Sequence, residues 1–134
     1  MKFRDRAILV TGASRGIGAA IARAFAAEGG LVIVNYRSND SAAAAIAERI
    51  GQEAGRLDVV VNNAFAPYRF DPDNRARFWD TPWESYALQF DGAVKAAYTV
   101  SRAMLPLLGR RSGGSIVNIA SDLVARPSVP YLDY

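Results

Sequence analysis

Cysteine and histidine are both missing from the 134 residues, and lysine occurs only twice, as Lys2 and Lys95. Their absence excludes disulfides, Cys/His zinc clusters, a cysteine nucleophile and a Ser-His-Asp triad. Any proton transfer falls to Tyr, Lys, Asp, Glu or water, and no metal site is expected. No apolar run approaches the ~20 residues that span a bilayer. The opening residues, Met1 to Arg6, have no signal-peptide layout. The expectation is a soluble cytoplasmic protein with no membrane partner. Charge of one sign is not concentrated either. Lys and Arg number 16 and Asp and Glu 13, a formal net charge of +3. The arginines are scattered, and only Arg110 and Arg111 are adjacent. A nucleic-acid binder gathers its charge, so no nucleic-acid partner is expected.

What is present fits one globular domain over residues 1–134. Hydrophobic residues make up 51% and charged ones 22%, ordinary for a folded core and wrong for disorder. Ala7 to Val10 is a short aliphatic run ending in Thr11-Gly12 and reads as a buried strand. Ile17, Ala20, Ile21, Ala24 and Phe25 recur at helical spacing, and Gly29-Gly30 ends that helix. Leu31 to Tyr36 reads as a second strand, covered on both faces. Ser41 to Ala54 is helical, and Leu57 to Val61 is a third strand ending in Asn62-Asn63. Ala64 to Asp80 is a long loop, either a binding loop or a surface excursion pinned by Phe70, Phe78 and Trp79. Thr81 suits an N-cap, with Pro82 at the first helical position and Glu84 closing a capping box. The helix runs to about Leu108, with Val94, Ala97, Tyr98, Ser101, Met104 and Leu105 on its apolar face. Ser115 to Ile119 is a fourth strand. Strands alternating with helices predict an α/β fold, a parallel sheet with helices on both faces.

Between the first strand and the first helix stands Gly12-Ala13-Ser14-Arg15-Gly16-Ile17-Gly18. Gly12 can take the tight turn, Gly16 lets a pyrophosphate approach the backbone, and Gly18 lets the helix pack closely. The helix N-terminus favours phosphate charge. Strand before and helix after make this a dinucleotide-binding signal.

The spacing Thr11-Gly12-x3-Gly16-x-Gly18 resembles the signature of the short-chain dehydrogenase/reductase family. Asn62-Asn63-Ala64 after the third strand resembles that family's N-N-A-G motif. Ser121 closes the fourth strand, and Tyr134 follows it at the spacing of the family's catalytic Tyr. The resemblance covers the whole chain and looks closest to the branch of bacterial 3-oxoacyl-acyl-carrier-protein reductases. It implies a Rossmann-like doubly wound sheet and carbonyl/secondary-alcohol interconversion by hydride transfer on a small-molecule substrate. It implies Tyr134 as general acid/base and Ser121 as hydrogen-bond partner of the substrate oxygen. The structural readings stay open beside these: Ser121 as a cap, Tyr134 as a packing aromatic, and Tyr131 as a competitor. The end of the second strand, Asn35-Tyr36-Arg37-Ser38, has no acid for a ribose 2′-hydroxyl. Arg37 and Ser38 suit a 2′-phosphate, with Arg15 adding charge, so NADP is the expected cofactor. The cofactor-binding residues are then Gly12, Ser14, Arg15, Gly16, Ile17, Gly18, Arg37, Ser38, Asn63 and Ala64.

The chain also departs from the family pattern. The Lys expected shortly after the Tyr, the later strands, and the helices that usually build a homo-oligomer lie beyond the pattern matched here. Only twenty residues, Arg37 to Arg56, join the second strand to the Asn-Asn strand. The family fits a helix, a strand with an adenine-contacting Asp, and a second helix there. The sheet is therefore expected to be truncated to about four strands in the order 2-1-3-4, with the second helix on the face opposite the first. Ala93 stands where the family has an Asn on the long helix, and Phe65 replaces the Gly of N-N-A-G. The competing reading is a catalytically incompetent nucleotide-binding remnant.

Overall fold

The computed structural model describes residues 1–35, 39–73, 77–110, 113–126, 131 and 133–134. Four strands form one parallel sheet: β1 (Ala7–Thr11), β2 (Leu31–Asn35), β3 (Val59–Asn62) and β4 (Ser115–Asn118). Their order is β2-β1-β3-β4, as the shortened connection predicts. Ala7 pairs with Leu31 and Thr11 with Asn35 on one side of β1, and Ile8 pairs with Val59 on the other. Val59 to Asn62 pair with Ser115 to Asn118.

Chirality explains where the helices go. The step from β1 to β2 runs one way along the sheet, and the step from β2 to β3 runs back. Right-handed crossovers then place the two connecting helices on opposite faces. Helix α1 (Gly16–Ala27) covers Ile8, Val10, Val59 and Val61, with Ala22, Ile21 and Phe25 packed in. Helix α2 (Asp40–Glu53) takes the other face with a long helical stretch toward β4. On that side Leu9, Ile33 and Val60 meet Ile50, Val100, Met104, Leu107 and Leu108. Side chains alternate along β1 and β3, so each central strand feeds both cores.

The long helix differs from the reading of its sequence in three ways. It is built as α3 (Trp83–Phe90), one π turn (Asp91–Lys95) and α4 (Ala96–Leu108). Its start lacks the capping box: Pro82 is the N-cap, and the Thr81 hydroxyl instead donates to the Arg77 carbonyl at 2.9 Å. Its buried face holds Ala96, Thr99, Val100, Met104, Leu107 and Leu108, whereas Val94, Tyr98 and Leu105 point outward. Two apolar stripes share this helix, and the one with Val100, Met104, Leu107 and Leu108 packs into the core against the sheet.

The outer strands are barer than expected. Leu31 and Val34 of β2, the end strand of the described sheet, are exposed, and every residue of β4 is exposed. In the loop after β3, Phe78 and Trp79 stay exposed instead of pinning it; Ala66 is the buried residue, and Tyr68 and Phe70 pack with Tyr131 and Tyr134.

Candidate functional site

The strand order reverses between β1 and β3, and the C-terminal ends of these two strands are the usual ligand position in such sheets. Thr11 holds these two ends together. Its Oγ1 accepts from the backbone N–H groups of Asn63 and Ala64, each at 3.0 Å, and donates to the Val61 carbonyl at 3.4 Å. That exhausts the capacity of one hydroxyl. Asn63 answers with its own amide, donating to the carbonyls of Thr11 and Gly12 at 3.0 and 3.2 Å. The Gly12 N–H donates to the Asn35 carbonyl at 2.6 Å, tying in β2.

Each glycine of the turn has its own reason. Gly12 has φ +64°, and a Cβ there would sit 3.0 Å from both Ala64 Cα and Asn63 Nδ2. At Gly18 a Cβ would collide with the Gly12 carbonyl and the Asn63 amide. The close packing expected of Gly18 is thus against the turn itself. Gly16 has φ +58° and nothing within 4 Å on its Cβ side, which leaves space over the turn for a ligand.

The first turn of α1 carries no side-chain cap and no acidic residue. By contrast α2 is capped by Asn39, whose Oδ1 accepts from the Ala42 N–H at 2.9 Å, and it has Asp40 in its first turn. An uncapped helix start leaves its first N–H groups and the positive end of its dipole for an anion. Ser14, Arg15, Gly16 and Ile17 are all exposed around it. These features fit the phosphates of a dinucleotide. Arg37 and Ser38 lie outside the described residues.

Between the start of α2, the segment Ala64 to Ala66 and the junction of α3 with α4 lies a cleft of about 440 Å³. A wider hollow, about 760 Å³, lies at the opposite end of the sheet beside Arg6, Gly30 and Arg56. It is remote from the glycine turn, and the charges beside it serve the fold. Buried Asp58 accepts from the Ala7 N–H at 2.9 Å, from Arg6 at 2.8 Å and from Arg56. Burial pushes the Asp58 carboxyl up, but the Ala7 N–H and the two guanidiniums outweigh it and hold it below its ordinary value.

The two expected catalytic hydroxyls are placed differently. Ser121 is half-buried, and its Oγ accepts from the Leu123 N–H at 3.2 Å, capping a short 3₁₀ turn (Asp122–Val124). The ring of Tyr134 lies 4.9 Å from that of Tyr68 and 5.0 Å from that of Phe70. No hydrogen bond joins Ser121 to Tyr134 among the described residues. Tyr68 is no candidate base. Burial, and the Asp133 carboxylate to which its hydroxyl donates at 2.7 Å, push its phenol far above the ordinary value.

Two residues outside the expected set shape the site. Thr11 is the hub just described; its signal was a hydroxyl immediately before the first glycine of the turn. Asn62 donates to Ser101 Oγ at 3.0 Å and to Asn118 Oδ1 at 2.8 Å, fastening β4 and α4 to β3. The sequence signalled it only as part of the Asn-Asn pair. Ala93 lies within the π turn, and Phe65 is 63% exposed.

Comparison with known proteins agrees with this geometry. A family model described as short chain dehydrogenase matches residues 6–54, and one described as Enoyl-(Acyl carrier protein) reductase matches residues 38–133. The chain belongs to the short-chain dehydrogenase/reductase family. It is similar to an uncharacterized oxidoreductase of Methylorubrum extorquens, 35% identical over 90% of this chain and 56% of the relative. It is also similar to galactitol 2-dehydrogenase of Agrobacterium fabrum, 33% identical over 90% of this chain and 54% of that one. A short-chain dehydrogenase of Burkholderia cenocepacia, solved in complex with NADP, superimposes with a TM-score of 0.80. It is 27% identical, over 96% of this chain and 60% of that one. The chain spans a little over half the length of these relatives. The Methylorubrum alignment runs over 147 positions yet uses 90% of 134 residues, so within the aligned span the relative carries residues that this chain lacks.

Proposed function

We propose that the chain is the cofactor-binding part of an NADP(H)-dependent oxidoreductase that interconverts a small-molecule carbonyl and a secondary alcohol in the cytoplasm. The observation that carries this is the glycine turn: an uncapped helix start with open space at Gly16, set at the point where the strand order reverses. NADP over NAD is supported by Arg37 and Ser38 in the sequence, by exposed Arg15 at the turn, and by the NADP bound to the Burkholderia relative. When bound, the nicotinamide supplies or takes up the hydride. Ser121 holds the substrate oxygen through its hydroxyl. Tyr134 gives the proton to the developing alkoxide in reduction and takes it back in oxidation. Assembly into a homo-oligomer belongs to the full-length form of this proposal.

A second reading, nucleotide binding without turnover, is favoured by the packing of Tyr134 among aromatic rings and by the engagement of Ser121 in a turn. The 134-residue chain is accordingly expected to bind NADPH and to reduce ketones weakly at most. Calorimetric titration and NADPH consumption with a panel of ketones and β-ketoesters test both points. Arg37→Ala should weaken NADPH by ~1.5–3 kcal/mol, the range of a hydrogen bond to a charged group, and leave NADH nearly unchanged. Equal losses for the two cofactors would defeat the 2′-phosphate assignment. Strong turnover insensitive to Tyr134→Phe would remove Tyr134 from the mechanism.

A further inference from the structure

β2 ends the sheet, and its outer edge is unpaired among the described residues. The Leu31 N–H donates to the Arg6 carbonyl at 2.9 Å, and the Asn35 carbonyl accepts from the Gly12 N–H at 2.6 Å. Backbone groups of successive residues in a strand point alternately to its two sides. Leu31, Ile33 and Asn35 therefore face β1, and the N–H and C=O groups of Val32 and Val34 face the open side. The side chains alternate between the two faces of the sheet. Ile33 belongs to the core beneath α2, and Val32 packs with the core beneath α1. Val34 stands on the same face as Val32 and is 51% exposed. The devices that blunt a natural edge are missing. Leu31–Asn35 holds no charge and no proline, and it pairs with β1 without a bulge. At the start of the strand, the hollow beside Gly30, Leu31 and Ala54 leaves that flank open.

Such an edge accepts an extended strand, and this sequence fits itself. Turned over by a two-fold axis through Ile33, a second β2 lies antiparallel, with Val32 opposite Val34 and Leu31 opposite Asn35. Val32 and Val34 carry the outward backbone groups, so each exchanges both N–H···O bonds with its opposite. A slip of one residue would set these groups against residues already bonded to β1. No like charges meet across the axis, because the strand carries none. Exposed Val34 would be covered by Val32 of the second copy, which already packs on α1, so the two α1-side cores would join. The two-fold arrangement also closes the assembly. Pairing β2 of one copy with β4 of the next would instead propagate without end.

We propose that β2 is a docking edge for a second copy of this chain, giving a two-fold dimer with one continuous sheet and Ile33 at its centre. A pair of five-residue strands is a small contact beside the ~1,200 Å² at which stable interfaces begin. The dimer is therefore a reversible one, formed at micromolar concentration. It does not depend on the dinucleotide reading.

Sedimentation velocity from about 1 to 100 µM, the span of a weak interface, tests this in the Val117→Lys chain, whose β4 edge is charged. That chain should show a monomer–dimer equilibrium. Adding Val34→Lys should weaken dimerisation about tenfold or more, by setting like charges near the axis, and Val34→Ile should not. Position 34 is exposed, so circular dichroism should be unchanged. The register has its own test, because the chain has no cysteine. Val32→Cys and Val34→Cys chains, mixed and oxidised, should give a disulfide dimer, since opposite Cα atoms in such a pair stand ~5.5 Å apart, within disulfide reach. Neither chain should cross-link alone, because position 32 or 34 then lies beyond the ~7 Å limit from its own counterpart. A monomeric Val117→Lys chain, growth beyond the dimer, indifference to Val34→Lys, or cross-linking as fast in either chain alone as in the mixture would each overturn the proposal.

Discussion

A single side chain can serve the fold and be invisible to motif reading. Asp58 is such a residue: buried, it accepts from one backbone N–H and two guanidiniums at the end of the sheet away from the glycine turn. Removing it leaves Arg56, only 14% exposed, without its partner. Asp58→Asn should therefore cost about 3 kcal/mol in urea denaturation at neutral pH, the scale of breaking a buried pair. Its pH dependence has a definite sign. The folded carboxyl lies below its ordinary value, so its contribution is complete above the unfolded pKa of ~3.9. It is lost as the pH falls through the folded value. The gap between wild type and Asp58→Asn should close on acidification, and a gap independent of pH would show that the pair contributes nothing as an ion pair. The candidate site was more legible than this cluster. Gly12 and Gly18 could be read because close backbone approach leaves a glycine in the sequence, and Gly16 because a positive φ does. Thr11 and Asn62 act through hydrogen bonds to distant strands, and such partners leave no spacing to read.

Among the elements, strands were easier to read than the faces of helices. β1 is an unbroken apolar run because it is covered on both sides, and its continuity marks it as central. The long helix carries two apolar stripes, and Met104 belongs to both descriptions of its buried face. Periodicity alone could not decide between them, because the π turn at Asp91–Lys95 resets the phase. β4 raises a different matter. It is the outer strand on its side of the sheet, with Ile116 and Val117 exposed at 41% and 43%. An uncovered apolar edge offers a row of N–H and C=O groups to another chain. The 134-residue chain should therefore self-associate in analytical ultracentrifugation. Replacing Val117 with Lys should reduce association without changing the helix content. A strictly monomeric wild-type chain at micromolar concentration would mean that this edge is not adhesive.

At the scale of the whole molecule, the strand order followed from counting residues. Twenty residues between β2 and the Asn-Asn strand leave room for one crossover helix, and handedness then decides its face. The structure has that order and that helix. What counting could not supply was the degree of cover, because exposure at β2 and β4 depends on what stands beyond each edge. The placement of Tyr134 was illegible for a related reason. Its partners, Tyr68 and Phe70, lie in a loop without periodicity, and a spacing rule gives the distance along the chain but not the direction of a ring.

The central position of β1 bears on how the molecule breathes. β1 is wholly buried and has a hydrogen-bonded neighbour on each side, β3 feeds both cores, and β2 and β4 each have one open flank. Opening should proceed inward from the flanks, with the free energy of exposing an amide rising from β4 and β2 toward β1. Amides of Ile8 to Val10 should then exchange with deuterium only in global unfolding, while those of β4 exchange through local fluctuation. Uniform protection across the sheet would contradict this. The glycine turn hangs from the C-terminal end of β1. The turn is thus attached to the last part of the molecule to loosen, and its shape should persist through motions that fray everything around it.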